Sequence, residues 1–304
     1  MNVAPTLSAR AWAEMLLLAS IWGATFFFTA LSLREVGPLT TVAFRLGIGA
    51  AGLWLLVFLR GELGRVPTGL WLAFAMMGLL NNVVPFSLIT WGQQFIQSGL
   101  AAILNASTGV IGVVVAAVLL VDERMTPRKL LGALTAFFGV IVTIGPAALV
   151  ELDAASLGQW AVIGAALSYS LAGVWARRRL RGVTPLISAT GMVSASALML
   201  WPMAIATEGL PSMSYGPGTW LALAYQGVLA TTGAYLLYYS VLARAGSGNL
   251  MLVTLLLPPI AILLGVAFLQ ETLLRAHLLG FGIIGMGLVI VDGRLWRRLH
   301  SGAR

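Results

Sequence analysis

Ten apolar runs, most of them near the length of a bilayer-spanning helix, fill almost the whole chain. A helix needs about 20 mostly apolar residues to cross the hydrocarbon core. The connections between the runs are short, and none is long enough to fold as a separate domain. The predicted spans are Trp12–Leu33, Pro38–Leu59, Leu70–Ile89, Leu100–Leu120, Leu130–Gly145, Leu157–Arg177, Leu186–Thr207, Thr219–Leu242, Asn249–Leu269 and Leu278–Val291.

The composition excludes a soluble globule. Only 9% of the 304 residues are charged and 59% are hydrophobic, whereas a soluble domain carries roughly a quarter charged residues. Lipid must therefore cover much of the surface. Cysteine is absent, which excludes disulfides and thiolate metal sites. The two histidines, His277 and His300, form no ligand cluster, so we predict no metal site and no cofactor.

The net charge of +8 at pH 7 indicates membrane orientation and not a nucleic-acid partner. The basic residues lie in short stretches between apolar runs, where Lys and Arg mark the cytoplasmic side. If the N-terminus is cytoplasmic, 15 of the 18 basic residues fall on that side. Glu151, Asp153 and Glu208 then fall outside. We therefore predict two cytoplasmic termini, with the first run retained as a helix and not cleaved as a signal peptide.

The chain contains an internal repeat. Segments of the first half reappear in the second half in the same order, at a nearly constant spacing of about 148 residues. Glu123 and Glu271 align in the same register. The matched pairs are Val36–Leu39 with Val183–Leu186, Trp71–Gly78 with Trp220–Gly227, Leu130–Gly132 with Leu278–Gly280, and Gly139–Val142 with Gly287–Ile290.

Each repeat holds five helices, so the second copy must enter the membrane from the opposite face. We predict an all-α integral membrane protein with two inverted five-helix repeats, residues 1–147 and 148–304. Such halves can open one site alternately to either side, which favours a transporter. A membrane scaffold is an alternative. An intramembrane enzyme is disfavoured, because no span holds a His/Asp/Glu cluster, an aspartate pair or a base for a serine nucleophile.

Several segments resemble the drug/metabolite transporter superfamily. Asn105–Thr108, Leu120–Pro127 and the repeat segments that follow them are similar to its signature. Trp22–Thr25 and Phe44–Arg45 also fit its EamA-type repeats, and the resemblance covers both halves. The second repeat departs from the signature at Gln270–Leu273, where Gly-Glu-Arg-Leu is usual.

Within that superfamily, the length, the ten helices and Ser20–Gly23 resemble bacterial metabolite exporters, in particular those of aromatic and neutral amino acids. The resemblance implies export of a small molecule across the bacterial inner membrane through a central cavity. Export of drugs or other metabolites is the alternative.

Uncharged polar and aromatic side chains near the middle of the spans predict where a substrate binds, because such groups in lipid must face protein or a cavity. Asn81 and Asn82 offer donors and acceptors to a zwitterion, although hydrogen bonding between helices is the alternative. Prolines within apolar runs bend or unwind spans. Ser87, Thr90 and Ser170 share the polar character. The predicted substrate-binding residues are Trp22, Thr25, Asn81, Asn82, Pro85, Asn105, Thr108, Ser168, Tyr169, Thr231, Thr232, Tyr235, Thr254 and Pro258.

Arg45 lies ~10 Å inside the second span at 1.5 Å per residue. A lone charge there is costly unless it is paired or hydrated, so Arg45 either has a structural partner, snorkels to the interface or binds a substrate carboxylate. No carboxylate lies deep in a span, and we therefore prefer uniport to proton coupling. Glycines in the last span allow a homodimer, but tight packing within one subunit explains them equally well.

Overall fold

The computed structural model describes residues 9–63, 68–120, 125–145, 153–180, 182–245 and 253–292, and every regular element in those ranges is helical. Helix α8 consists of three consecutive segments, Pro217–Ala224, Tyr225–Gly233 and Ala234–Ala245. The other helices are α1 (Ala9–Ser32), α2 (Pro38–Leu59), α3 (Trp71–Gly92), α4 (Ser98–Leu119), α5 (Pro127–Ile144), α6 (Ala154–Arg179), α7 (Pro185–Glu208), α9 (Val253–Leu269) and α10 (Arg275–Asp292).

The ten helices confirm the predicted all-α fold. Helices α1 to α7 are each long and apolar enough to cross a membrane by length and composition, and α9 and α10 contain shorter apolar stretches. The predicted bounds agree to within a few residues. Asn249, where the ninth span was predicted to begin, lies outside the described residues. Glu123, which the repeat aligns with Glu271, also lies outside them.

Local chemistry explains where the helices begin and end. Proline occupies the first turn of α2, α5, α7 and α8, a position that needs no amide donor. Asp153 caps α6 by accepting hydrogen bonds from the Ser156 hydroxyl at 2.6 Å and the Ser156 amide at 2.8 Å. These two bonds lower the pKa of the Asp153 carboxyl, the side-chain bond contributing most. Helix α7 ends at Glu208, and the next residue, Gly209, has a φ of 83°, which suits a residue without a Cβ.

The helix contacts follow a two-fold pattern across the repeats. Helix α1 packs on α8 and α9, and its counterpart α6 packs on α3 and α4. Helix α2 packs on α7, and α5 packs on α10. Each contact is therefore repeated when the two halves are exchanged, as expected for two copies of one five-helix unit.

Glycines produce the close packing of α5 on α10. A Cβ at Gly139 would lie 2.7 Å from the Ile284 nitrogen, and one at Gly280 would lie 2.7 Å from the Gly139 carbonyl oxygen. Small residues permit such backbone contacts in lipid. By contrast, a Cβ at Gly282 or Gly285 would meet nothing within 4 Å. Packing within the subunit therefore accounts for Gly280, while the homodimer stays a prediction.

Candidate functional site

A cavity of about 570 Å³ lies between the two repeats, with walls from eight of the ten helices. Its lining is mostly apolar, and uncharged polar side chains project into it. Within the described ranges, no group of three His, Asp or Glu residues could hold a metal ion. The predicted substrate-binding residues that line the cavity are Trp22, Thr25, Asn81, Asn105, Thr108, Tyr169, Thr231, Tyr235 and Thr254.

Breaks in regular α-helix occur beside the cavity in both repeats. Helix α3 has a π-helical segment at Leu79–Val83, and α8 has one at Tyr225–Gly233. The internal repeat aligns these two segments. Within α8, the Thr231 hydroxyl donates to the Gln226 carbonyl at 2.8 Å, five residues earlier and across the widened turn. Wide turns of this kind are frequent at functional sites.

The expectation based on proline agrees with the break of α3, which directly precedes Pro85, but not with α9, which is continuous at Pro258. Pro85 lies in the first turn of the α-helical segment that follows the π segment of α3. Pro258 lies inside the continuous helix α9. Neither residue lines the cavity. The polar pairs that precede the return to α-helix, Asn81–Asn82 and Thr231–Thr232, are the sequence feature that the two aligned breaks share.

Three other predicted site residues connect helices and do not line the cavity. Asn82 is fully buried and donates to the Ser196 hydroxyl of α7 at 3.0 Å. Ser168 donates to the Leu80 carbonyl at 2.7 Å. Thr232 donates to the Gly49 carbonyl at 3.2 Å. Hydrogen bonding between helices, the alternative considered for the two amides, therefore describes Asn82. Asn81 also donates to the Met192 sulfur of α7 at 3.6 Å, but it lines the cavity.

The cavity also contains polar residues that are absent from the predicted set. Thr29, Gln93 and Tyr238 line it, as does Thr90, which the sequence distinguished only by its polar character. Thr29 lies one turn after Thr25 on α1, and residues four apart share a helix face. That spacing is the signal that would have identified Thr29 from the sequence.

Arg45 projects into the cavity from α2. Its Nε atom donates to the Thr231 hydroxyl at 3.3 Å, and its guanidinium carbon lies 3.9 Å from the centroid of the Phe86 ring. An ion pair joins Arg10 to Glu14, and none between described residues involves Arg45. The structural partners of Arg45 in the described part of the chain are therefore Thr231 and Phe86, and no described carboxylate pairs with it.

A buried polar layer closes one end of the cavity, the end where α7 finishes at Glu208, called here the Glu208 end. Thr29 donates to the Gln226 side-chain oxygen at 3.2 Å, and the Gln226 amide donates to the Ser32 hydroxyl at 3.1 Å. The Gln93 amide donates to the Phe26 carbonyl at 2.9 Å. Gln226 is only 1% exposed, so the layer separates the cavity from the Glu208 surface.

Three glutamates join the repeats outside this layer. Glu208 accepts from the Leu39 and Thr40 amides at the start of α2, both at 2.9 Å. Glu271 accepts from the Ser98 amide at the start of α4 at 2.8 Å. Glu35 accepts from the amide of Gly216, the residue before α8, at 2.7 Å. Carboxylates are stabilised at helix N-termini, and each contact crosses from one repeat to the other.

The cavity reaches the surface at its opposite end, called here the Pro185 end. Leu180, Val183 and Pro185, which surround the connection between α6 and α7, line it there, and Pro185 is exposed. Within the described residues, the buried polar layer therefore closes the Glu208 end, and the cavity reaches the surface at the Pro185 end.

The sequence profile of the EamA-like transporter family matches the chain twice, over residues 11–145 and 156–291. The chain belongs to the EamA-like transporter family. It is accordingly a multi-pass membrane protein of the drug/metabolite transporter superfamily and a transporter, not an enzyme. The two matches correspond to α1–α5 and α6–α10.

Curated relatives of this EamA-like transporter are distant but cover most of its length. It is 25% identical to the uncharacterized transporter YoaV of Bacillus subtilis over 88% of this chain and 91% of that protein. It is 24% identical to a probable amino-acid metabolite efflux pump of Escherichia coli over 93% of this chain and 95% of that protein. A solved structure superposes with a TM-score of 0.67 at 20% identity, covering 95% of this chain and 99% of that one, and it shows the same fold.

Proposed function

We propose that this EamA-like transporter exports amino acids or similar small metabolites across the bacterial inner membrane, with the central cavity as its substrate site. The observation that carries the proposal is a cavity between two related repeats that is sealed at one end and reaches the surface at the other. Two inverted repeats around one site are an arrangement that many transporters use for alternating access. The relative described as a probable amino-acid metabolite efflux pump supports the substrate class.

The size and lining of the cavity suit a small amphipathic molecule. Ligand cavities typically measure roughly 300–1,000 Å³ and combine apolar walls with a few polar groups, and this one falls within that range at about 570 Å³. Trp22 and Tyr238 have ring centroids 6.0 Å apart, and those of Tyr235 and Tyr238 are 6.5 Å apart. We infer that this aromatic wall holds an apolar side chain, while Asn81 and Asn105 bind the polar end.

The charge distribution suggests which state is described. Arg177, Arg178 and Arg179 end α6 beside the Pro185 end of the cavity, and basic residues favour the cytoplasmic side. With that orientation both termini are cytoplasmic and the described state is open to the cytoplasm. An exporter in this state receives substrate from the cell interior.

The neighbouring asparagines provide a matched test of the site. Purified protein in proteoliposomes should transport at least one member of a panel of radiolabelled amino acids. Asn81→Ala should reduce that transport strongly and lower the melting temperature less than Asn82→Ala does, because Asn81 faces the cavity and its contact with α7 is a hydrogen bond to the weakly accepting Met192 sulfur at 3.6 Å. Asn82→Ala should mainly lower the melting temperature, since it breaks a buried bond between helices costing about 1–3 kcal/mol.

A control and three adverse outcomes complete this test. Leu72→Ala, at a side chain 80% exposed on the outer surface of α3, should change neither quantity. Transport of drugs or other metabolites with no amino-acid flux would show that the proposed amino-acid substrate class is wrong. No flux of any compound would indicate a scaffold. Equal transport by wild type and Asn81→Ala would contradict the proposal that the central cavity is the substrate site.

A further inference from the structure

Arg45 is the single charged residue among the described residues that line the cavity. A guanidinium cannot lose its proton at physiological pH, so the charge is permanent. Burying it away from water without an opposite charge is unfavourable. The described part of the chain supplies no carboxylate to the cavity wall, and this leaves the cavity with an uncompensated positive charge.

The contacts of Arg45 orient its side chain and leave its end available. Phe86 covers one face of the guanidinium at 3.9 Å, a cation–π contact. Thr231 receives the hydrogen bond from Nε. Among the described residues, no acceptor is bonded to either terminal nitrogen, Nη1 or Nη2. These two nitrogens form a planar fork that matches the two oxygens of a carboxylate.

We propose that Arg45 is the anion-binding residue of the cavity, and that the cargo is a small molecule with one carboxylate. The inference rests on the proposed transport function and specifies its substrate class. The carboxylate pairs with the terminal nitrogens of Arg45 and thereby supplies the missing counter-charge.

The rest of the lining narrows this class. With one cation in the described lining, a dicarboxylate leaves its second charge unpaired, and a doubly charged phosphate is equally under-compensated. A cationic compound without a carboxylate meets the Arg45 charge with no anion to offset it. Amide and hydroxyl groups, including those of Asn81 and Thr25, accept hydrogen bonds from an ammonium or hydroxyl group on the cargo. The favoured cargo is therefore an amino acid or a related monocarboxylate.

The test compares two pairs of probes that differ at the acid group. L-phenylalanine is compared with L-phenylalaninamide, and 3-phenylpropionate with 3-phenylpropionamide, by calorimetric titration of the purified protein in nanodiscs. We expect wild type to bind each acid at least about tenfold more tightly than its amide, since a charge-assisted pair is stronger than a neutral hydrogen bond. Arg45→Gln should abolish the preference. Arg45→Lys should retain part of it, because the charge remains and the fork is lost.

The outcomes separate this inference from the transport proposal. A purely structural Arg45 predicts that Arg45→Gln weakens acids and amides equally, and that result would overturn the inference. Equal binding of acids and amides by wild type, or no binding of either acid, would also overturn it even if Arg45→Gln fails to fold. Transport of amino acids with an unchanged acid preference in Arg45→Gln leaves the proposed function standing and rejects the inference. Tight binding of 3-phenylpropionate without amino-acid transport leaves the inference about Arg45 standing and rejects the proposed function.

Discussion

Gln226 is the residue whose replacement most directly tests the closed end of the cavity. The internal repeat aligns Gln226 with Met77 and Thr29 with Ala176. Gln226 and Thr29 are hydrogen-bonded at the Glu208 end, whereas Met77 and Ala176 line the cavity and lack this bond. The buried polar layer therefore has a Gln226–Thr29 hydrogen bond that the repeat-related residues Met77 and Ala176 do not reproduce. Gln226→Met introduces at the closed end the residue type that α3 carries at the aligned position.

The size of the effect follows from two lost hydrogen bonds, those joining Gln226 to Thr29 and to Ser32. Each buried neutral hydrogen bond contributes about 0.5–1.5 kcal/mol net. Their loss destabilises the described state by about 1–3 kcal/mol relative to a state open at the Glu208 end. A coupling energy of that size corresponds to a population ratio changed roughly 5- to 150-fold.

Labelling of engineered cysteines measures this change in population. The chain has no cysteine of its own, so no native residue contributes to the signal. Thr90 lines the cavity and is buried, so Thr90→Cys reports on access. A membrane-impermeant maleimide added on the Glu208 side should label Thr90→Cys faster in the Gln226→Met background. As a control, Ser188→Cys at the Pro185 end is labelled with maleimide added on the Pro185 side. Its labelling rate should fall or stay the same in the Gln226→Met background. An unchanged rate at Thr90→Cys would refute a sealing role for Gln226.

Three further predictions concern packing, backbone conformation and energy coupling. Gly139→Ala should lower stability by about 1–3 kcal/mol through overpacking, since its Cβ would meet backbone at 2.7 Å, whereas Gly282→Ala should be neutral; equal melting temperatures would contradict the close α5–α10 contact. Gln270 has φ of 57° at the position where the family signature has glycine, so Gln270→Gly should stabilise the protein by about 0.5–1 kcal/mol, and a lower melting temperature would argue against strain. Transport into proteoliposomes should persist after an ionophore collapses the pH gradient, and its loss would favour proton coupling.

The residues at the cavity show where sequence reasoning reaches its limit. Nine of the fourteen predicted substrate-binding residues line the cavity, because polar groups within apolar spans have few other places to go. Asn81 and Asn82 have the same chemistry and are adjacent, yet only Asn81 faces the cavity. Adjacent residues on a helix point about 100° apart, and which of the two faces the cavity depends on how α3 packs against α6 and α7.

The three glutamates illustrate the same limit for closure. Their sequence positions next to helix ends are evident, but the helices that they cap lie far away in the chain. Glu208 and Leu39 are separated by 169 residues, and Glu271 and Ser98 by 173. No local pattern specifies these partners.

The sequence by itself determines the ten helices, the membrane environment and the two-fold repetition. These features depend on the thickness of the hydrocarbon core, the cost of burying charge and the spacing of similar segments, all of which are local or periodic properties of the chain. Only the tertiary structure decides which end of the cavity is closed, that Gly280 packs on α5 of its own subunit, and that Arg45 contacts Phe86 and Thr231. Those facts depend on contacts between residues that are remote in sequence, where the packing of one repeat against the other selects the partner.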